Sequence, residues 1–129
     1  MIIYLDIDGT VCRFAFPHIG RYNEGCQEVL YKLQDAGHQI IINSVRCGLM
    51  DDTLQEAIDF LATLNTKEPI TDHTLEKIVP DLWNLNNPPC LFLDDISIGI
   101  PTEIEKGNLY VNWFKVDKQL EENGFYKKK

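Results

Sequence analysis

Three short apolar runs, Ile2-Ile3-Tyr4-Leu5, Ile40-Ile41-Ile42 and Cys90-Leu91-Phe92-Leu93, each stop abruptly at a polar residue: Asp6, Asn43 and Asp94. Uninterrupted apolar runs of this length suit strands buried on both faces of a sheet. Between the first two, Val29, Leu30, Leu33 and Ala36 recur at helical spacing, with Asn23 placed to cap the helix and Gly37 to end it. The second run, read as a strand from His38 to Asn43, leads through Arg46-Cys47-Gly48 to a helix opening near Asp51-Asp52, with Leu54, Ala57, Ile58, Leu61 and Leu64 on one face. Pro69-Ile70-Thr71 reads as a short strand and Asp81 to Asn86 as a helical turn, and Pro88-Pro89 breaks the chain before the third run. Leu109-Tyr110-Val111 is a short last strand, followed by a closing helix that carries Val116, Leu120 and Glu121 and stops at Gly124. Alternation of this kind predicts an α/β fold with a mostly parallel sheet covered by helices on both faces. At 129 residues and 44% hydrophobic content, one domain over 1–129 with a single core is expected.

Parallel strands direct their carboxyl ends to one edge, where ligands of open α/β sheets bind. The first run ends in D-I-D-G-T, so Asp6 and Asp8 face that edge, and Ser44, Asp94 and Asp95 reach it from the other two strands. Paired acids share a hard divalent cation, and phosphoryl transfer needs an aligned nucleophile, charge neutralisation and proton delivery. Asp6 is assigned as nucleophile, because a carboxylate attacking phosphorus gives an acyl phosphate that water then cleaves. Asp8 would protonate the leaving oxygen and later activate water, which requires a raised pKa on Asp8 while Asp6 stays charged. Ser44, helped by neighbouring backbone N–H groups such as that of Val45, would bind phosphoryl oxygens. Arg46 is expected either to touch substrate phosphate or to form a surface ion pair. Gly9 permits the turn past Asp6, and Thr10 holds the acids in place. Each residue also has a plain alternative, namely that the acid pairs are solvated turns and Ser44 an ordinary loop serine.

Taken in order, D-I-D-G-T, the strand-ending Ser44, Lys77 and the Asp94-Asp95 pair resemble the four motifs of the haloacid dehalogenase (HAD) superfamily of phosphohydrolases, over Met1 to about Pro101. The resemblance implies a Rossmann-like three-layer sandwich and a Mg²⁺-dependent phosphatase that hydrolyses a phosphate monoester through an aspartyl-phosphate on Asp6. It implies metal ligands from the Asp6 carboxylate, the backbone carbonyl of Asp8, and Asp94, with Asp95 coordinating, through water, or orienting Lys77. Lys77 lies in K-I-V-P, similar to the K-x-x-P placement in small members; Lys67 is the competitor. Members commonly carry a cap domain over the site, but only about fifteen residues separate Thr10 from the first helix, too few for one. An open, capless site is expected, shielded by the loop from Val11 to Tyr22 with Phe14, Phe16 and Tyr22. Such a site admits a small or macromolecular phosphorylated substrate, or is closed by a second copy of the chain. The same machinery fits a nucleotidase or polynucleotide-end phosphatase. A receiver-like signalling module uses similar groups in a different order, and a catalytically silent phosphate-binding protein is the remaining alternative.

A formal net charge of −8 weighs against a long nucleic-acid track. No apolar stretch approaches the ~20 residues of a membrane span, and Met1 runs into the first strand without a charged leader, so a cytoplasmic protein without membrane partners is expected. Cys12, Cys26, Cys47 and Cys90 lack C-x-x-C spacing and read as free thiols, with Cys12 or Cys47 near enough in sequence to line the site. His18, His38 and His73 lack metal-ligand spacing; His38 reads as structural and His18 as a loop residue able to touch substrate.

Overall fold

The computed structural model describes residues 1–75 and 90–127. Along the chain these form β1 (Ile2–Leu5), α1 (Cys26–Asp35), β2 (Gln39–Ile42), a 3-10 turn (Val45–Gly48), α2 (Thr53–Ala62), β3 (Cys90–Leu93), β4 (Thr102–Glu105), β5 (Asn108–Val111) and α3 (Trp113–Glu122). The fold is α/β, with a three-stranded parallel sheet in the order β2-β1-β3.

The register of that sheet positions the site. Leu5 stands opposite both Ile42 and Leu93, so the following residues, Asp6, Asn43 and Asp94, lie in one row across the carboxyl edge. The ladder continues up to that row: the Asp6 N–H donates to the Leu93 carbonyl at 3.0 Å and the Asn43 N–H to the Leu5 carbonyl at 2.8 Å. Asp6, bonded to the ladder at the end of the central strand, therefore has little backbone freedom.

Beneath the row, strand alternation sorts the side chains. Ile3, Leu5, Ile40, Ile42 and Leu93 join Val29, Leu30 and Leu33 of α1, Ala57 and Leu61 of α2, and Trp113, Val116 and Leu120 of α3 in one buried core. Burying each Leu or Ile side chain contributes roughly 1.5–3 kcal/mol. Tyr4 points to the opposite face and stacks on its register partner Phe92, with ring centroids 4.9 Å apart. The expected apolar positions Val29, Leu30, Leu33, Ala57, Leu61, Val116 and Leu120 are therefore all in that core.

Three expectations change. Asn23 does not cap α1; Gly25, at φ 89°, precedes the helix, and the Asn23 side chain is buried elsewhere. Pro69-Ile70-Thr71 is not a strand, because Ile70 packs into the core and the chain pairs with the sheet only as an isolated parallel bridge between His73 and Ile42. The last strand, β5, does not extend the parallel sheet. It pairs antiparallel with β4 through Lys106-Gly107, both at positive φ (50° and 81°), the backbone that a two-residue hairpin with matched twist requires. The predicted turn at Asp81 to Asn86 lies outside the described residues. Among the described residues no helix is long and apolar enough to cross a membrane.

Candidate active site

The turn after β1 is held by its own backbone and by a distant part of the chain. The amides of Thr10, Val11 and Cys12 converge on the Ile7 carbonyl at 3.1, 2.9 and 3.3 Å, and the Gly9 N–H reaches the Cys12 carbonyl at 2.8 Å. Gly9 adopts φ 80°, which favours glycine, and a Cβ there would force the Asp95 carboxylate to move. Two buried residues complete the clamp: Asn23, expected only to cap a helix, and Trp113, which carried no expectation. Asn23 Nδ2 donates to the carbonyls of Thr10 (2.9 Å) and Val111 (2.7 Å), and Trp113 Nε1 donates to Thr10 at 2.7 Å. The Val111 N–H also donates to the Gly9 carbonyl at 2.9 Å. The available signal was a tryptophan at an apolar helix position, whose N–H must find an acceptor when buried.

Asp6 stands at the centre of this arrangement. Its Oδ2 accepts from Thr10 Oγ1 at 3.1 Å, the holding role expected of Thr10. Burial first, then the Asp95 carboxylate, push the Asp6 carboxyl up to about 7, against the lowering effect of the Ile7 amide and Thr10. Asp95 is raised too, chiefly by burial, with the negative charges of Asp94 and Asp8 adding to it. Burial and a like-charged neighbour thus act together to raise the proton affinity of Asp6, the acid expected to stay charged.

Asp8 is occupied differently. Both of its oxygens accept from Arg46: Nε to Oδ2 at 2.9 Å and Nη2 to Oδ1 at 2.8 Å. Arg46 is 0% exposed, its Nη1 donates to the Thr53 carbonyl and its Nη2 also to the His18 carbonyl, each at 2.9 Å. Asp8 raises the Arg46 pKa above its ordinary value, more than burial lowers it. The surface ion pair expected of Arg46 is thus a buried one. As placed, the guanidinium has no surface with which to touch a substrate.

The remaining candidates fall unevenly around the edge. Ser44 follows Asn43 and caps the 3-10 turn, its Oγ accepting from the Arg46 N–H at 3.3 Å, with Val45 exposed beside it. Asp94 is turned into its own loop, where Oδ1 accepts from the Ile96 and Ser97 amides (3.1 and 2.6 Å) and Oδ2 from Ser97 Oγ (2.9 Å). Asp95 rather than Asp94 is the acid beside Asp6. Lys77 lies outside the described residues. Lys67 pairs with Asp35 at 2.9 Å, at the end of α1 that feeds the opposite edge of the sheet. Cys12 and Cys47 do not line the site; both are buried, their thiols facing the Ile7 and Ile42 carbonyls, and burial pushes Cys12 up to about 11. All four cysteines are free thiols. His18 contributes its carbonyl to Arg46 while its residue is exposed, and His38 is structural, bridging the Met1 amine (2.9 Å) and the Phe125 carbonyl (2.7 Å).

The donor chemistry at Asp6 and Asp95 suits a hard cation. Asp95 stands close enough to raise the proton affinity of Asp6, a crowding that a divalent ion between them would relieve. Among the described residues no group of three or more His, Cys, Asp or Glu side chains is drawn together to hold an ion. Mg²⁺ does not need one, since it is usually held by one or two carboxylates and keeps several waters.

The chain is similar over 95% of its length to a solved structure described as a conserved protein coded by a locus of Bacteroides thetaiotaomicron, at 25% identity and a TM-score of 0.64, with 91% of that protein covered. No protein-family model and no curated protein matches the chain.

Proposed function

We propose that the chain is a capless, HAD-like phosphatase with a Rossmann-like sandwich fold, which uses Mg²⁺ to hydrolyse a phosphate monoester through an aspartyl-phosphate on Asp6. The observation that carries this reading is the position of Asp6: the first residue past the central strand, its N–H still bonded to the neighbouring strand, half-buried, held by Thr10 and beside Asp95. Mg²⁺, held by Asp6 and Asp95 with the Asp8 carbonyl, would supply positive charge that keeps Asp6 ionised and neutralises the phosphoryl oxygens. The Asp6 carboxylate attacks phosphorus, the bond to the ester oxygen breaks, and Asp8, entering the step as the carboxylic acid, gives its proton to that oxygen and is left as the carboxylate. Asp8 then takes a proton from the water that attacks the acyl phosphate, releasing phosphate and restoring Asp6. Ser44 and the amides around Val45 bind the transferring oxygens, Asp94 keeps the loop bearing Asp95 in shape, and Lys77 is the proposed balancing cation.

One observation favours a second reading. With Asp8 bound on both oxygens by Arg46, an acyl phosphate on Asp6 would persist, as in a phosphate-accepting module. Turnover of p-nitrophenyl phosphate with and without Mg²⁺, for wild type and Asp6→Asn, tests the first reading. Mg²⁺-dependent turnover lost in a folded Asp6→Asn protein supports it, and equal rates remove Asp6 as nucleophile. A stoichiometric burst without turnover would instead favour the module.

A further inference from the structure

We infer that Arg46 is a positioning residue that couples the alignment of Asp8 to the anchoring of the loop spanning residues 13–21, so that one guanidinium governs both the proton donor and the shield over the site. The inference rests on the phosphatase reading for Asp8, while its loop half stands on contacts alone.

Four hydrogen bonds leave the Arg46 guanidinium in three directions. Two go to Asp8, one to the Thr53 carbonyl at the start of α2, and one to the His18 carbonyl in the loop. The Phe16 ring lies against the same group, its centroid 5.1 Å from the guanidinium carbon. Such a planar, rigid fork satisfies several fixed acceptors at once, which an ammonium on a flexible stem does not. A bidentate carboxylate is fixed in both rotation and position, so Arg46 sets which way Asp8 can turn to meet a leaving oxygen. A backbone carbonyl at the tip of the loop is fixed by the same atom, Nη2, that binds Asp8 Oδ1. Movement of the loop therefore strains the Asp8 pair, and movement of Asp8 releases the loop.

The test uses the full chain and two substrates. p-Nitrophenyl phosphate has an activated leaving group that scarcely needs an acid, and β-glycerophosphate has a poor one that does. Arg46→Lys keeps the charge and loses the fork. Its kcat is expected to fall on the order of 100-fold on β-glycerophosphate and less than about fivefold on p-nitrophenyl phosphate, and the selective loss is expected to vanish in an Asp8→Asn background. Independently of activity, trypsin cleavage after Arg21, a residue of this loop with a 66% exposed side chain, is expected to quicken about tenfold relative to cleavage after Lys67 in the same sample. Equal slowing of both esters would overturn the positioning role, and an unchanged cleavage ratio would overturn the anchoring. Wild type inert toward both esters would remove the phosphatase reading, leaving the cleavage ratio to decide the inference. If Arg46→Lys does not fold, Phe16→Leu, which leaves the ion pair intact, must loosen the loop in the cleavage assay or the coupling is refuted.

Discussion

The first and third strands of the sheet both end in acids, in register with each other, yet their acid pairs live in different surroundings. After β1 the chain turns inward: Asp8, Gly9, Thr10, Val11 and Cys12 are all buried, with the turn tied to Asn23, Val111 and Trp113. After β3 it turns outward: Asp94 accepts from the Ile96 and Ser97 amides and the Ser97 hydroxyl of its own loop, and Ile96 is 82% exposed. Identical residue types thus have different tasks. Burial raises the proton affinity of Asp6, whereas Asp94 shapes backbone for its neighbour.

The largest test of this contrast replaces Asp6. Asp6→Asn is expected to lower turnover on the order of 10⁴-fold or more, while making the metal-free protein more stable at pH 8. The sign follows from the raised pKa: between the ordinary 3.8 and about 7 the folded state binds more protons than the unfolded state. The stabilising contribution of protonated Asp6 is fully present below that window and is lost as pH rises through it. Urea melts of wild type without metal should therefore weaken from pH 4 to pH 7.5, and the Asn variant should weaken less. An identical pH slope in the two proteins would place Asp6 in solvent.

Next comes the clamp. Asn23→Leu leaves the Thr10 and Val111 carbonyls without the Asn23 donor and is expected to cost about 2–4 kcal/mol in denaturant melts. A loss below 0.5 kcal/mol (about the effect of an ordinary surface change) would show that the inward turn does not depend on it. Asp95→Asn is expected to weaken Mg²⁺ binding at least about tenfold, read by calorimetry, and to lower the Asp6 pKa. The smallest effect belongs to the outward loop. Ser97→Ala removes one exchange with Asp94 and should cost about 0.5–1.5 kcal/mol with Mg²⁺ affinity unchanged, and a loss equal to that of Asp95→Asn would erase the distinction between the two strand ends.

The same contrast explains what could be read before folding. The three apolar runs, the helical spacing of Val29, Leu30 and Leu33, and the strand-end placement of Asp6 are local patterns, and local patterns survive in sequence. Asn23 was misplaced because an Asn shortly before a helix looks like a cap, whereas its partner Val111 lies 88 residues away. Arg46 was misjudged for a similar reason: nothing near it in sequence announces a pair with Asp8, 38 residues earlier, that takes it wholly out of water. β4 escaped notice because Thr102-Glu103-Ile104-Glu105 is short, largely acidic and paired on one side, so its strand character comes from the hairpin turn rather than from burial. The order of the acids was legible; which of Asp94 and Asp95 approaches Asp6 depends on a loop geometry set by Ser97.

The account turns on the state of the Asp6 carboxyl, and a pH titration of its carbon resonance by NMR, without metal and then with saturating Mg²⁺, observes that state directly. A midpoint near 7 without the ion, moved to below about 5 with it, is the predicted result. A midpoint near 4 that Mg²⁺ leaves in place would contradict both the burial of Asp6 against Asp95 and the cation site built on it.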